Sequence, residues 1–207
     1  MHLLGTRRIY GYNDLEKVLK ARGSLDGFTI MPIVAISSHL QIKKGSQDRT
    51  RVRPAAELMS TTVADGIILL FPNDLHMKNL SSILRKIDDW FDVFNSHGKI
   101  KKQLKLAKKP FGAIGAFEHQ TKILKDFDQL IRNIRVGKRE TLMQWQKNCL
   151  WSTKALPLMF DELKENYSDF KFILTCRILQ DALGEFHLSI FTSSILILLC
   201  IEIKKCF

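Results

Sequence analysis

Apolar residues along most of this chain recur at intervals of three and four, with no sustained strand-like alternation. Such a pattern puts one apolar stripe on each helix, and the stripe is buried by laying helix against helix. The clearest stripe runs from about Asn79 to Asn95. There Leu80, Ile83, Leu84, Ile87, Phe91 and Phe94 share one face while Lys86, Asp88, Asp89 and Asp92 lie away from it, and Gly98 stands just beyond as a stop. A second helix is expected with Pro54 near its first turn, burying Ala55, Leu58, Met59, Thr62, Val63 and Ile67 before Pro72 ends it. A third is marked by Ile123, Phe127, Leu130, Ile131 and Ile134, after a glycine-containing loop from Phe111 to Phe117 that is not helical throughout. A fourth is expected over Ser152 to Asn166, with Leu156, Met159, Phe160 and Leu163 inward and Pro157 confined to its first turn or two. Phe170 to Leu174 reads as a short extended piece before a last helix from about Cys176 to His187. The expected fold class is mainly α, and 207 residues with 45% hydrophobic content suffice for a real core.

The formal charge of +11 suits a phosphate-rich partner, because lysine and arginine gain affinity there by releasing counterions. A membrane surface or simple solubility would account for the same excess. Two basic runs, Lys43 to Arg53 and Lys99 to Lys109, read either as solvated loop faces or as phosphate contacts, the former being the simpler. Cys149, Cys176, Cys200 and Cys206 lie far apart without a C-x-x-C pair, and no histidine sits at zinc-ligand spacing from them. Reduced thiols and no zinc are therefore expected, and the charged N-terminal stretch lacks the apolar run of a signal peptide. From Leu188 the sequence changes character, with an almost uninterrupted apolar run from Ile195 to Ile201 within the stretch Leu188 to Ile203. A spanning helix needs ~20 apolar residues, and this stretch is shorter and interrupted by Thr192, Ser193, Ser194 and Glu202. A buried strand is the first reading; a tail anchor and a segment foreign to the domain are the alternatives.

A P-loop would require G-x-x-x-x-G-K-[ST], and neither Gly98-Lys99 nor Gly137-Lys138 has the preceding glycine or the following hydroxyl. No G-x-S-x-G elbow, H-E-x-x-H helix or dinucleotide fingerprint is present, which removes the common hydrolase and oxidoreductase readings.

Four segments, in order, carry a family resemblance. They are SSHLQIKKGSQDRTRVRPAAELMSTTVADGI (Ser37 to Ile67), IDDWFDVFNS (Ile87 to Ser96), QWQKNCLWSTKALPLMFDELKENY and FKFILTCRILQDALGEF. Together they resemble the P element-type DNA transposases and their relatives with a THAP-type zinc finger, over residues from about Tyr12 to Phe186. The resemblance implies an RNase H-like catalytic core with a D-D-E carboxylate set that holds two metal ions. It also implies a helical GTP-binding domain inserted before the last carboxylate. On this mapping residues 1–174 are the GTP-binding insertion, 175–190 a partial RNase H-like catalytic helix, and 191–207 a divergent apolar tail. The zinc finger, the oligomerising segment and the two catalytic aspartates belong upstream, and nothing in these 207 residues resembles them.

The implied nucleotide-binding residues are Arg51, Val52, Ser60, Phe91, Asp92, Asn95 and Asp181, with GTP and Mg²⁺ as the implied ligands. Asp92 and Asn95, at i and i+3, share a helix face, where a carboxylate can accept two guanine N–H bonds and an amide can add a contact. Arg51 would neutralise phosphate by a bidentate contact. Without the resemblance, Asp92 and Asn95 read as a solvated helix face, Phe91 as core, Val52 as helix-entry packing and Ser60 as a helix-surface hydroxyl. The expected catalytic glutamate position holds Gly184, and Glu185 lies one residue on, about 100° further round a helix. No catalytic residue is assigned here, Glu185 being a weak substitute. The implied partners are guanine nucleotide and DNA, with homo-oligomerisation through regions absent from this sequence, a nuclear location, and no membrane partner. The expected function is a transposase fragment or domesticated transposase that binds nucleotide without strand transfer on its own. The alternatives are a regulatory part of an active transposase and a non-functional, tail-anchored helical remnant.

Overall fold

Breaks in the helical pattern set the order of elements in the computed structural model, which describes residue 17 and residues 56–97, 105–135 and 140–178. The expected second helix is interrupted. Residues 56–58 are helical, Met59 and Ser60 turn, and α1 runs over Thr61–Leu70. Ser60 is the cause: its backbone is extended (φ −81°, ψ 155°) and its hydroxyl accepts from the Val63 N–H, an N-cap that starts a new helix. As a result Thr62 is exposed, not buried as the sequence suggested, while Val63, Ala64 and Ile67 face the core.

Helix α2, Leu75–Phe94, is started by Asp74, whose carboxylate accepts from the N–H groups of His76 and Met77 at 2.8 and 3.2 Å. Its inward residues are Met77, Leu80, Leu84, Ile87, Trp90 and Val93, with Phe91 and Phe94 packed at the edge of the core. The stripe is thus rotated towards its C-terminal end, because Trp90 is drawn inward. Its ring stacks on Phe127 at 4.4 Å, and its Nε1–H donates to Thr153 Oγ1 at 2.9 Å, so the largest side chain of α2 is buried with its polar atom satisfied.

Helix α3, Phe117–Asn133, buries Ile123, Leu124, Phe127 and Ile131. Helix α4, Gln144–Asn166, begins well before the expected Ser152, so Pro157 lies in its interior instead of its first turns. Proline has a helical φ but no N–H, so the usual bond to the carbonyl four residues back is lost. The helix continues because neighbouring side chains hold both sides of that point: Thr153 is bonded to Trp90, and Leu156 and Phe160 are buried. Gln146 of α4 donates to the carbonyls of Ile131 and Ile134 at 3.1 and 3.0 Å, satisfying the C-terminal end of α3.

The expected extended piece near Phe170 to Leu174 reduces to one antiparallel pair. Phe111 and Ile173 exchange two N–H···O bonds of 2.8 Å each. Thr175–Arg177 forms a single 3₁₀ turn, and the expected final helix lies beyond the described residues. The fold is mainly α, with no strand among the described residues beyond that isolated pair, and no described helix is long and apolar enough to cross a membrane.

Candidate functional site: an acidic helix face closed by lysines

Of the sequence-predicted nucleotide residues, Ser60, Phe91, Asp92 and Asn95 are described; Arg51, Val52 and Asp181 lie outside the described residues, as do Gly184 and Glu185. The Ser60 hydroxyl is engaged locally, donating to the Glu57 carbonyl at 2.8 Å while capping α1. Phe91 is half-buried against the core. Asn95 caps the C-terminus of α2, its N–H donating to the carbonyls of Phe91 and Asp92. The N-terminus of α1 is brought to the C-terminal half of α2 by the residue after Ser60: both the N–H and the hydroxyl of Thr61 donate to Asp88 Oδ2.

Asp92 is not on a solvated face. It is 5% exposed, and one carboxylate oxygen receives the Lys105 ammonium at 2.7 Å while Lys108 Nζ lies 3.4 Å from the other. The same Lys105 ammonium reaches Asp88 at 2.8 Å and Asp89 at 3.1 Å. The ligand atoms of the three carboxylates lie within 4.8 Å of one another. Burial pushes the Asp92 carboxyl above its ordinary value; the Lys105 hydrogen bond opposes this and repulsion from Asp88 adds to it. Burial acts against the charge on Lys105, yet its bonds to Asp88 and Asp92 outweigh that, and its ammonium is held above the usual lysine range. Asp88, Asp89 and Asp92 are the hard oxygen set that suits Mg²⁺, and here the Lys105 ammonium supplies the cation between them.

Within the second basic run Lys105 is committed to protein carboxylates, while Lys108 stays on the solvated surface, its side chain 48% exposed and its ammonium 3.4 Å from Asp92. Their segment is delivered to α2 by two anchors further along. Gln120 of α3 accepts from the Gly112 N–H at 3.2 Å and donates to the Lys109 carbonyl at 2.7 Å, and Phe111 is paired with Ile173. Gly112 has φ +87°, and a Cβ there would lie 2.1 Å from the Phe160 ring, so only glycine permits this approach. Ser96, just after α2, is buried with Thr175. Their hydroxyls lie 2.7 Å apart, each accepts the other's N–H, and Thr175 Oγ1 reaches the Val93 carbonyl at 2.7 Å. The second and fourth resemblance segments meet through this pair. Lys105, Lys108, Asp88 and Thr61 were not among the sequence-predicted residues. The signal for them was charge complementarity, an Asp-Asp-x-x-Asp helix face and a Lys-x-x-Lys spacing, visible only once the two are known to pack together.

Fold and site together define a mainly α module in which a buried carboxylate at the end of one helix is neutralised by lysines from the following loop. The chain is similar in fold to the Drosophila P element transposase strand transfer complex, with a TM-score of 0.70 and 20% identity over 91% of this chain and 44% of that one. The fold is thus transposase-like, and the chain spans less than half of the solved chain it matches. No protein-family model matches the sequence, and no curated protein does.

Proposed function

We propose that this chain is a transposase-derived module that binds a guanine nucleotide and DNA and does not cut or join DNA strands by itself. The observation that supports this most is the Asp92 carboxylate: a buried acceptor, at the position the resemblance assigns to guanine recognition, on a transposase-like fold. Asp92 would accept the paired N–H donors of guanine, Asn95 would add an amide contact, and Arg51 would neutralise phosphate. Ser60, Val52, Phe91 and Asp181 complete the implied set. Mg²⁺, where bound, supplies charge neutralisation to the phosphates. Because Lys105 and Lys108 already engage Asp92, nucleotide binding is a competition for that carboxylate, and affinity is the difference between the two partnerships. The residual basic charge suits DNA phosphates, and the location that follows is nuclear. Residues 175–190 read as an RNase H-like remnant with Gly184 at the glutamate position. A second reading is favoured by the 44% coverage: the same region serving as the regulatory part of a longer transposase whose catalytic aspartates lie elsewhere.

Titration with labelled GTP and Mg²⁺ beside ATP tests the nucleotide reading. GTP preference is expected, and Asp92→Ala should weaken GTP binding by ~1–3 kcal/mol, the cost of leaving buried donors unpaired. Equal affinity for ATP and GTP would overturn the assignment. No metal-dependent strand cleavage is expected from the chain, since two-metal chemistry needs the D-D-E carboxylates that the resemblance places upstream or finds replaced by Gly184, and the Asp88, Asp89 and Asp92 cluster is closed by Lys105. Gly184→Glu should restore metal binding without full activity; cleavage by the parent chain, abolished by Glu185→Gln, would refute the register.

A further inference from the structure

Helix α4 buries one face against α3 and leaves a second, apolar-centred face outward. Trp90 and Trp145 are 2% and 3% exposed, whereas Trp151 is 61% exposed, and Leu158, two turns along the same face, is 69% exposed. Ala155 between them is exposed as well. At 100° per residue, positions 147, 151, 154, 155, 158, 162 and 165 fall within a strip about 100° wide. Charge is segregated along it: Lys147 and Lys154 lie in the N-terminal half, Glu162 and Glu165 in the C-terminal half, all exposed.

That order is self-complementary when reversed. Laying the strip antiparallel on a copy of itself, centred between Lys154 and Ala155, sets Lys147 opposite Glu162 and Trp151 opposite Leu158, each pairing occurring twice about the two-fold axis. We propose that this face of α4 is the contact between two copies of this chain, paired antiparallel. An isologous contact requires that each residue's counterpart be present on the same surface, and the strip meets that requirement for one charged pair, Lys147 with Glu162, and one apolar pair, Trp151 with Leu158, while Lys154 faces Ala155. The two glutamates disfavour phosphate backbones as the occupant, and the charges flanking Trp151 and Leu158 on the same strip disfavour a bilayer. One helix face buries less than ~1,200 Å² in total, so the association is of the weak class. This inference does not depend on nucleotide binding.

Sedimentation equilibrium of the 207-residue chain, run beside tryptophan emission over the same concentrations, tests it. The chain should pass from monomer to dimer as concentration rises, with emission moving to shorter wavelength and acrylamide quenching falling, because Trp151 is the tryptophan that becomes covered. Trp151→Ala, at an exposed position, should keep its helicity and raise the dissociation constant at least ~10-fold. Lys147→Glu and Glu162→Lys should each weaken the dimer, and the double variant should recover it. A chain that stays monomeric at its highest soluble concentration overturns the proposal. So does a dimer indifferent to Trp151→Ala, or a double variant no better than its single parents, which would indicate a parallel pairing or another surface.

Discussion

Replacing Lys105 with methionine keeps most of the apolar stem and removes one charge from among three carboxylates. In the parent chain the ammonium lies 2.7, 2.8 and 3.1 Å from Asp92, Asp88 and Asp89, whose ligand atoms are within 4.8 Å of one another. At an effective dielectric of ~20, two like charges at that spacing repel by roughly 3–4 kcal/mol. Loss of one partner of a fully buried pair costs about 3–5 kcal/mol. The side chains of Lys105 and Asp89 are 34% and 35% exposed and Lys108 remains beside Asp92, so the effect is discounted for solvent and residual pairing. About 2–3 kcal/mol of destabilisation near neutral pH is expected after that discount. The sign with pH follows from Asp92, whose folded carboxyl already lies above its unfolded value of 3.8. A raised carboxyl binds protons more readily in the folded state, so stability falls as pH rises through the window above 3.8 and recovers as pH falls. Without Lys105 that window extends upward, and the cost of the substitution should be smaller at a pH a little above 3.8 than at neutral pH. Urea denaturation followed by tryptophan emission, at low salt and at both pH values, measures this. Adding Asp88→Asn should return part of the loss. A cost below ~0.5 kcal/mol at neutral pH, or one that does not change with pH, would refute the reasoning.

Gly112→Ala should destabilise by about 2 kcal/mol or more, because positive φ and the Phe160 contact add. Gly115→Ala, at φ +77° with open space around it, should cost only ~1–2 kcal/mol, and urea midpoints of the two variants compare them directly. Thr175→Val removes the hydroxyl shared by Ser96 and the Val93 carbonyl and should cost about 1–3 kcal/mol in the same assay. Cys149 is buried and burial pushes its thiol up to about 12, so iodoacetamide with peptide mapping should label it only on unfolding and label the half-buried Cys176 earlier.

The helical class was legible because the stripe of α3 holds in the structure and that of α2 holds as far as Ile87 before turning to Trp90 and Val93. What was not legible came from side chains acting on the backbone or across the fold. Ser60 looked like one polar residue inside a continuous helix, and its capping bond divides that helix in two. Pro157 looked tolerable only in the first turn or two of a helix, yet tertiary contacts of Thr153, Leu156 and Phe160 carry α4 through it. Asp92 looked solvated because its apolar neighbours in sequence do not reveal that Lys105 and Lys108 fold over it. The meeting of Asp88 with the Thr61 end of α1 is likewise a product of helix packing, not of spacing.

The bond between Ser96 and Thr175 closes a long stretch of chain, and that has a consequence for the order in which the molecule is made. Each of α1 to α4 can form from nearby residues, but the end of α2 is fixed only after residue 175 exists, and Phe111 meets its partner only after residue 173 does. Closing long loops is slow relative to helix formation, because entropy is spent before the contact rewards it. The segment that carries Lys105 is held by Gln120 of α3 and by the Phe111–Ile173 pair, so its second anchor is in place only after α3 and α4 have been made. On a ribosome, Asp88 would meet Thr61 early, whereas a chain ending after α4 would hold the clasp over Asp92 through Gln120 alone, without the Phe111–Ile173 pair.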